Sequence, residues 1–564
     1  MECRLPSYAI AGTPAFSFQF RKVSALPRLA WCARVSGRTG TVTVEHGPWV
    51  EARESFFVEG AWDGPFDAGG LDEAAVILGS GGYIKNGEAV FCTTSHTMER
   101  LQSVAVSGDL FISNSFAYLL TATGDSVDMN YRFYERDFMT FLNGRSKATR
   151  TIRTRLKRKV RLYYGEKIHI DRHLRVRVEP FPNVPSFNTY DSYVAVVNDL
   201  VSRLHDNATA KSRLFRYEPL ATLSSGYDSP ACSVFAKNIG CKEAITFVEA
   251  RKDYYGSSSL LKDAADSGEH IADYLEINVK PFRRDAWHAR RDFPEAEFLA
   301  TGSGGDDAVI ASAEQCLTGK VLFTGFLGDT LWGLDAVPEE LDASTDYAYK
   351  FPAGGTLGEF RIRVGFVHLP IPLLTLTRHA DMHRISHSEE MRPWRTGAGK
   401  YDRPVPRRLV ETSGVPRAIY AQEKKAITQP FWLAYDSDTI KKMMSPHSHE
   451  SLAAYASSNE VLRQLSITSR IKMKWAPFAV PVAPLFNWYC LKLASMLRLH
   501  MPRQFYTGPF RASVLFSTLS GFKFHWAVEK TASRYRASRY GRERCSSPWL
   551  PRQELTRGKT SSAV

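Results

Sequence analysis

At 564 residues the chain is too long for a single hydrophobic core and predicts on the order of two to four domains. Its 44% hydrophobic and 23% charged content fit a globular protein and exclude wholesale disorder. The net charge of +14 is local: residues 145–161 hold nine Lys/Arg and no acid, and 530–559 net +7, leaving the remainder near −2. That disfavours a broad nucleic-acid groove.

The N-terminal stretch carries neither a secretory nor a transit pattern, so no targeting segment is expected. The best membrane candidate, 475–499, is interrupted by Pro477, Pro481, Pro484, Asn487 and Lys492, so nothing is expected to span a bilayer. The eight cysteines show no CxxC pair and no companion histidine at zinc spacing. Free thiols in a reducing cytoplasm are the expectation.

Residues 1–120 read as strands. Alternating runs at 41–45, 56–59 and 89–92 are separated by Gly69-Gly70 and by 79–82, which read as turns, and another strand is expected at 108–113. A helical stretch and a hairpin over 160–170 follow, and Pro180, Pro182 and Pro185 mark a linker. From Ser192 the period becomes helical, with Tyr193, Val196, Val197, Leu200, Val201 and Leu204 on one stripe. Strand-like runs at 219–223, 244–248, 274–277 and 320–324 then alternate with helices, which predicts an α/β domain with a parallel sheet. Helices are expected over 451–465 and 485–499. From about Arg534 the sequence is Ser/Arg-rich and poor in apolar residues, which predicts no fixed structure.

The strand ending at Leu223 runs into Ser224-Ser225-Gly226-Tyr227-Asp228-Ser229 and then an apolar helix. A strand, a Ser/Gly loop and a helix start together make an anion site, because unpaired N–H groups and the positive end of the helix dipole face the loop. Gly226 lets the backbone approach a phosphate, and Ser224 and Ser229 add hydroxyl donors. Asp228 would repel a bare phosphate, so the loop implies an intervening Mg²⁺.

This loop resembles the SGGxDS motif of the N-type PP-loop ATP pyrophosphatases, and the asparagine-synthetase-like family fits the rest of the chain best. Thr246-Phe247-Val248 resembles the family's second strand, whose backbone reads adenine. Asp266-Ser267-Gly268-Glu269-His270 resembles the acidic helix start that follows. Phe323-Thr324-Gly325-Phe326-Leu327-Gly328-Asp329-Thr330 resembles its second phosphate-side loop, Glu390-Met391-Arg392-Pro393-Trp394 its E-x-R-x-P-F segment, and Gln422-Glu423-Lys424-Lys425-Ala426 the element that brings a lysine into the site.

The resemblance implies an α/β fold: an N-terminal β-rich, Ntn-hydrolase-like glutaminase domain over 1–180, then a PP-loop, adenine nucleotide α-hydrolase-like parallel-sheet domain over 190–530 with a helical C-terminal part. Residues 531–564 would form a basic tail. It also implies ATP and Mg²⁺ as cofactors, with Leu223, Ser224, Ser225, Gly226, Asp228, Ser229, Val248 and Gly325 binding ATP or pyrophosphate. Asp228 and Asp329 would hold the metal, and Lys425, Lys424 and Glu390 would act in catalysis. The implied activity is an AMP-forming carbon–nitrogen ligase joining a small-molecule or peptide carboxylate to an amine or ammonia, with a homodimer as the candidate assembly.

Departures from the family pattern bear on that activity. Residue 2 is Glu2 and Cys3 lies one position late, so glutaminase activity is expected to be lost. Ser225 replaces a glycine but stays small. Thr330 replaces an acid, and Phe326 stands where the family has a polar residue facing the acceptor; phenylalanine accepts neither a proton nor a hydrogen bond.

Simpler readings stand beside these. Asp228 is also a suitable N-terminal helix acid, Asp329 a turn former, and Lys424 and Lys425 solvated charges. Glu390 and Arg392 could form an ion pair, and Asp306 and Asp307 read as a helix start. The function rivals are a tRNA-modifying PP-loop enzyme and a non-catalytic scaffold that has kept the fold.

Overall fold

A computed structural model describes residues 16–131, 133–251, 265–334, 352–397, 401–431, 437–479, 485, 489, 492, 493, 496, 497 and 519–540. The N-terminal part builds thirteen strands: β1 (Ser17–Lys22), β2 (Trp31–Ser36), β3 (Thr41–His46), β4 (Glu51–Ala52), β5 (Phe56–Trp62), β6 (Ile77–Lys85), β7 (Glu88–Cys92), β8 (Leu101–Val106), β9 (Asp109–Ser113), β10 (Thr151–Arg153), β11 (Lys159–Tyr163), β12 (Glu166–Ile170) and β13 (Val176–Pro180). They form a seven-stranded sheet, β1-β3-β2-β9-β8-β11-β10, and a six-stranded sheet, β13-β12-β7-β6-β5-β4. The two sheets share a core. Trp31 of the first packs against Phe57 and Phe91 of the second at 5.0 and 5.9 Å between ring centroids, and its indole N–H donates to Ser80 Oγ at 3.0 Å.

Two sequence expectations fail here for the same reason, that strand partners are set by the sheets and not by neighbours in the chain. Gly79 to Gly82 are not a turn but lie inside β6. A Cβ at Gly79 would sit 1.9 Å from Glu59 O, and one at Gly60, its partner in register, 1.8 Å from Leu78 O, so glycine is what lets β5 and β6 pair there. Residues 160–170 are not a hairpin either: β11 pairs with β10 and β8, and β12 with β13 and β7, so the chain crosses between sheets at Tyr164-Gly165.

Five parallel strands follow: β14 (Glu218–Leu223), β15 (Glu243–Phe247), β16 (Asn278–Phe282), β17 (Lys320–Thr324) and β18 (Val367–Pro370), in the order β16-β15-β14-β17-β18. The strand expected at 274–277 starts at Asn278 instead. Tyr274 belongs to a helix, and Glu276, in the left-handed conformation, ends it. Pro281 is accommodated because β16 is an edge strand.

The helices that matter for the site and the interface are α1 (Phe116–Ala122), α2 (Tyr190–Thr209), α3 (Asp228–Asn238), α4 (Glu269–Leu275), α5 (Pro294–Leu299), α6 (Gly358–Val364), α7 (Pro404–Thr412) and α8 (Lys523–Tyr540). α2 starts at a capping box between Thr189 and Ser192 and buries Tyr193, Val197, Leu200, Val201 and Leu204, as its periodicity predicts, while Val196 is half-buried. Helices occupy Pro446–Ser457 and Asn459–Gln464, as expected; most of 485–499 lies outside the described residues. The segment from Arg534 is not structureless at its start, because α8 runs to Tyr540. Tyr535 is buried and stacks on Tyr118 of α1 at 4.7 Å with 3° between the rings, and its hydroxyl donates to Glu359 at 3.0 Å.

The sandwich and the parallel-sheet unit share one continuous apolar core. At their junction Arg361 of α6 is buried between Glu59 of β5 (2.7 Å) and Glu99 (2.7 Å). Beside it His96 and His368 are fully buried. His368 Nε2 lies 2.7 Å from Thr324 Oγ1, and Met98 N donates to His96 Nδ1 at 3.3 Å. Among the described residues the five cysteines are free thiols, four of them buried, and no helix is long and apolar enough to cross a membrane.

Burial, reinforced by the Arg361 charge, pulls His96 down to about 3, and burial together with His96 and Arg361 holds His368 well below its ordinary value. The His96 ring is therefore neutral in the folded protein at pH 5, whereas the unfolded chain protonates it below about pH 6.5. Its contribution to stability is unchanged above that pH and falls as pH drops below it, by about 1.4 kcal/mol per pH unit. Replacing His96 with glutamine should remove that part of the slope between pH 6.5 and 4.5, read as urea midpoints of variant against wild type.

Candidate active site

The chain winds outward from β14 through β15 and β16, then returns to place β17 on the other side of β14. A reversal of this kind opens a crevice at the carboxyl ends of the central strands. Two loops meet there, 224–229 after β14 and 325–329 after β17.

In the first loop Ser224 Oγ and Ser229 Oγ lie 2.7 Å apart, and Gly226 N donates to Ser224 Oγ at 3.3 Å. Ser225 Oγ donates to Asp266 Oδ1 at 2.7 Å, while Ser225 N donates to Asp266 O at 3.2 Å. α3 begins with Tyr227 at the N-cap and no side-chain cap, and Pro230 in its first turn needs no hydrogen-bond partner. A Cβ at Gly226 would meet only Ser224 Oγ at 3.6 Å and the Tyr401 hydroxyl at 3.8 Å, both ordinary contacts. Packing within the protein does not demand glycine at that position.

The second loop rests directly on Asp228. A Cβ at Gly325 would lie 2.5 Å from the Asp228 carbonyl carbon, and one at Gly328 2.6 Å from its Cγ. Asp329, in the same turn, is 4.0 Å from Lys424 Nζ.

Arg403, at the N-terminus of α7, reaches into this junction. Its Nη1 lies 2.5 Å from both Oδ1 and Oδ2 of Asp228, and its side chain is only 3% exposed. Burial opposes the charge, but Asp228 and then Asp329 more than offset it and hold the guanidinium above its ordinary pKa. The far side is closed by 421–428. Ala421 N donates to Ser225 O at 2.6 Å, Arg251 N to Ala426 O at 2.6 Å, and Lys425 Nζ to Ala265 O. Asp266 N in turn donates to Val248 O at 3.0 Å. Burial pushes the Asp266 carboxyl up, against the Ser225 hydroxyl and the charges of Lys425 and Lys424.

The fold thus gathers Leu223, Ser224, Ser225, Gly226, Asp228, Ser229, Val248, Gly325, Asp329, Lys424 and Lys425 at one edge of the sheet. Glu390 is not among them. It binds Arg408 at 2.6 Å and accepts Tyr190 N at 3.3 Å, so it caps α2, and Arg392 pairs with Glu389 at 3.5 Å rather than with Glu390. Asp307 stands before the 3₁₀ helix Ala308–Cys316, but its carboxylate does not cap that helix as expected: it accepts from Gly354 N at 2.9 Å and from Thr356 N at 3.3 Å, tying down the 354–356 segment. Phe326 is half-buried, edge-on to His368 at 5.5 Å. Glu2 and Cys3 lie outside the described residues.

Arg403 is the residue that sequence reasoning missed, and it holds the place between two acids where the sequence points to Mg²⁺. As arranged, these acids suit a guanidinium and not a divalent ion: both oxygens of Asp228 are taken, and among the described residues no three His, Cys, Asp or Glu side chains form a metal-ligand set. No protein-family model matches the chain, and no curated protein sequence matches it significantly.

Breaking the pair leaves the buried Arg403 or the half-buried Asp228 without its partner, so Asp228→Asn and Arg403→Met should each destabilise the protein, by about 2–4 kcal/mol. The double variant should lose clearly less than the two single losses together. Strictly additive losses in urea unfolding would show that the pair is not coupled.

Proposed function

We propose that this chain is an ATP-dependent, AMP-forming carbon–nitrogen ligase of the asparagine-synthetase type. The observation that carries the reading is the strand, the loop 224–229 and the uncapped start of α3 at the switch point of a parallel sheet, with the 325–329 turn packed onto Asp228. On this reading the triphosphate lies along 224–229 and the adenine along the backbone near Val248.

A substrate carboxylate oxygen bonds to the α-phosphorus, the bond to the β-phosphate oxygen breaks, and pyrophosphate leaves. An amine or ammonia nitrogen then attacks the acyl carbon, loses a proton to solvent, and AMP departs. Lys424, Lys425 and Arg403 offset the negative charge that builds on pyrophosphate, the electrostatic role with the largest effect in such transfers. Mg²⁺ belongs to the substrate, as MgATP, and no step is assigned to a metal held by the protein. On this reading the N-terminal sandwich corresponds to the glutaminase-like domain.

The scaffold reading is favoured by one specific observation, the closure of Arg403 on Asp228. Exchange of labelled pyrophosphate into ATP separates the two. With its carboxylate supplied the enzyme should exchange, and Lys425→Ala should slow the exchange by about 10²–10³-fold. A folded wild-type protein that binds no ATP and exchanges nothing with any carboxylate offered would be a scaffold.

A further inference from the structure

The loop 224–229 lies open above Gly226. Among the described residues, the neighbours of a Cβ placed there would be Ser224 Oγ at 3.6 Å and the Tyr401 hydroxyl oxygen at 3.8 Å. Both are hydroxyls. A phosphate resting on the Gly226 Cα takes up the space of that Cβ, and both hydroxyls then come within hydrogen-bond reach of its oxygens.

The Tyr401 ring is held firmly. It is half-buried and leans on Tyr227 with 5.0 Å between ring centroids, while the Arg403 guanidinium carbon lies 5.5 Å from its centre. Tyr227 is buried and is fixed in turn by Tyr420 at 5.9 Å and Arg407 at 5.1 Å. The next residue, Asp402, accepts Thr396 N at 2.7 Å and Gly397 N at 2.8 Å and pairs with Arg407 at 3.4 Å. A phenylalanine would make the same ring contacts. Packing therefore accounts for the ring of Tyr401 and not for its hydroxyl.

We infer that Tyr401 is a phosphate-binding residue, whose hydroxyl donates to an oxygen of the pyrophosphate group held over Gly226, whether that group belongs to a nucleotide or is free. The inference rests on the nucleotide reading of the loop proposed above. The nearest guanidinium, Arg403, is held by Asp228, so a neutral hydroxyl supplies a contact to phosphate that the ion pair does not. A donor bond to a charged oxygen is also stronger than one to a neutral acceptor, which suits a single fixed hydroxyl to the task.

The test is calorimetric titration of the full-length protein with MgATP, with magnesium pyrophosphate and with adenosine. Tyr401→Phe should weaken MgATP and pyrophosphate by about tenfold each and leave adenosine unchanged. Tyr420→Phe, which removes from the same aromatic cluster the hydroxyl that donates to Arg407 O at 3.3 Å, should bind all three as wild type does. Gly226→Ala should lower both phosphate affinities at an unchanged urea midpoint, because its Cβ makes only ordinary contacts in the protein but occupies the place of the phosphate. Wild-type affinity for either phosphate ligand in Tyr401→Phe, or an equal loss for adenosine, would overturn the inference and leave the nucleotide reading standing. A wild-type protein that binds neither MgATP nor pyrophosphate would overturn both.

Discussion

The turn after β17 lies on the first turn of α3 with no space for a side chain at Gly325 or Gly328, and the arrangement of the crevice follows from that contact. It fixes how far apart the two loops of the switch point can be. It also brings Asp329 close enough to Asp228 for a single buried guanidinium to feel both acids. Arg403 can arrive there only if the chain leaves the sheet, passes over its carboxyl edge and starts α7 beside the loop. The segments 401–403 and 421–428 that wrap this edge are the consequence, and they bring Lys424 and Lys425 with them.

How much of this was legible in the sequence depends on distance along the chain. The strand, loop and helix over 218–238 were readable because each signal is local: an apolar run, a Ser/Gly loop, then helical spacing. The same holds for 320–329. Arg403 was not readable, because its partner lies 175 positions away and one arginine in an arginine-rich stretch carries no mark of its destination. Its only signal was a basic residue immediately before a Pro-started helix, too common to single out. Glu390 failed in the opposite way, since a motif-like setting suggested chemistry where the side chain caps a helix. The errors at 79–82 and 160–170 share a cause: glycine and short turns look alike whether the chain reverses, stays extended or changes sheet.

The join between the two units was legible in neither pattern nor motif. Burying Arg361 between Glu59 and Glu99 costs desolvation that an apolar contact would not. The triad joins three separate segments through contacts of 2.7 Å on either side of Arg361. α8 adds a second tie, stacking Tyr535 on α1 and binding Glu359 of the α6 turn. The sandwich is therefore held in a set position relative to the crevice, whatever its own chemistry.

The charge balance of the crevice says what kind of ligand it suits. Asp228, Asp329 and Asp266 face Arg403, Lys424 and Lys425, so the acids and cations gathered there cancel. A bare triphosphate would bring several negative charges to a site with no net positive charge to meet them, and the helix start supplies only about half a unit. A nucleotide that arrives with its own divalent ion brings most of the missing charge. On the proposed function, its phosphates would compete with Asp228 for Arg403, a planar donor fork well matched to phosphate oxygens. On that reading the Arg403 pair would keep the half-buried Asp228 neutralised until substrate took over the task. The same two residues would look inert in a scaffold and poised in an enzyme.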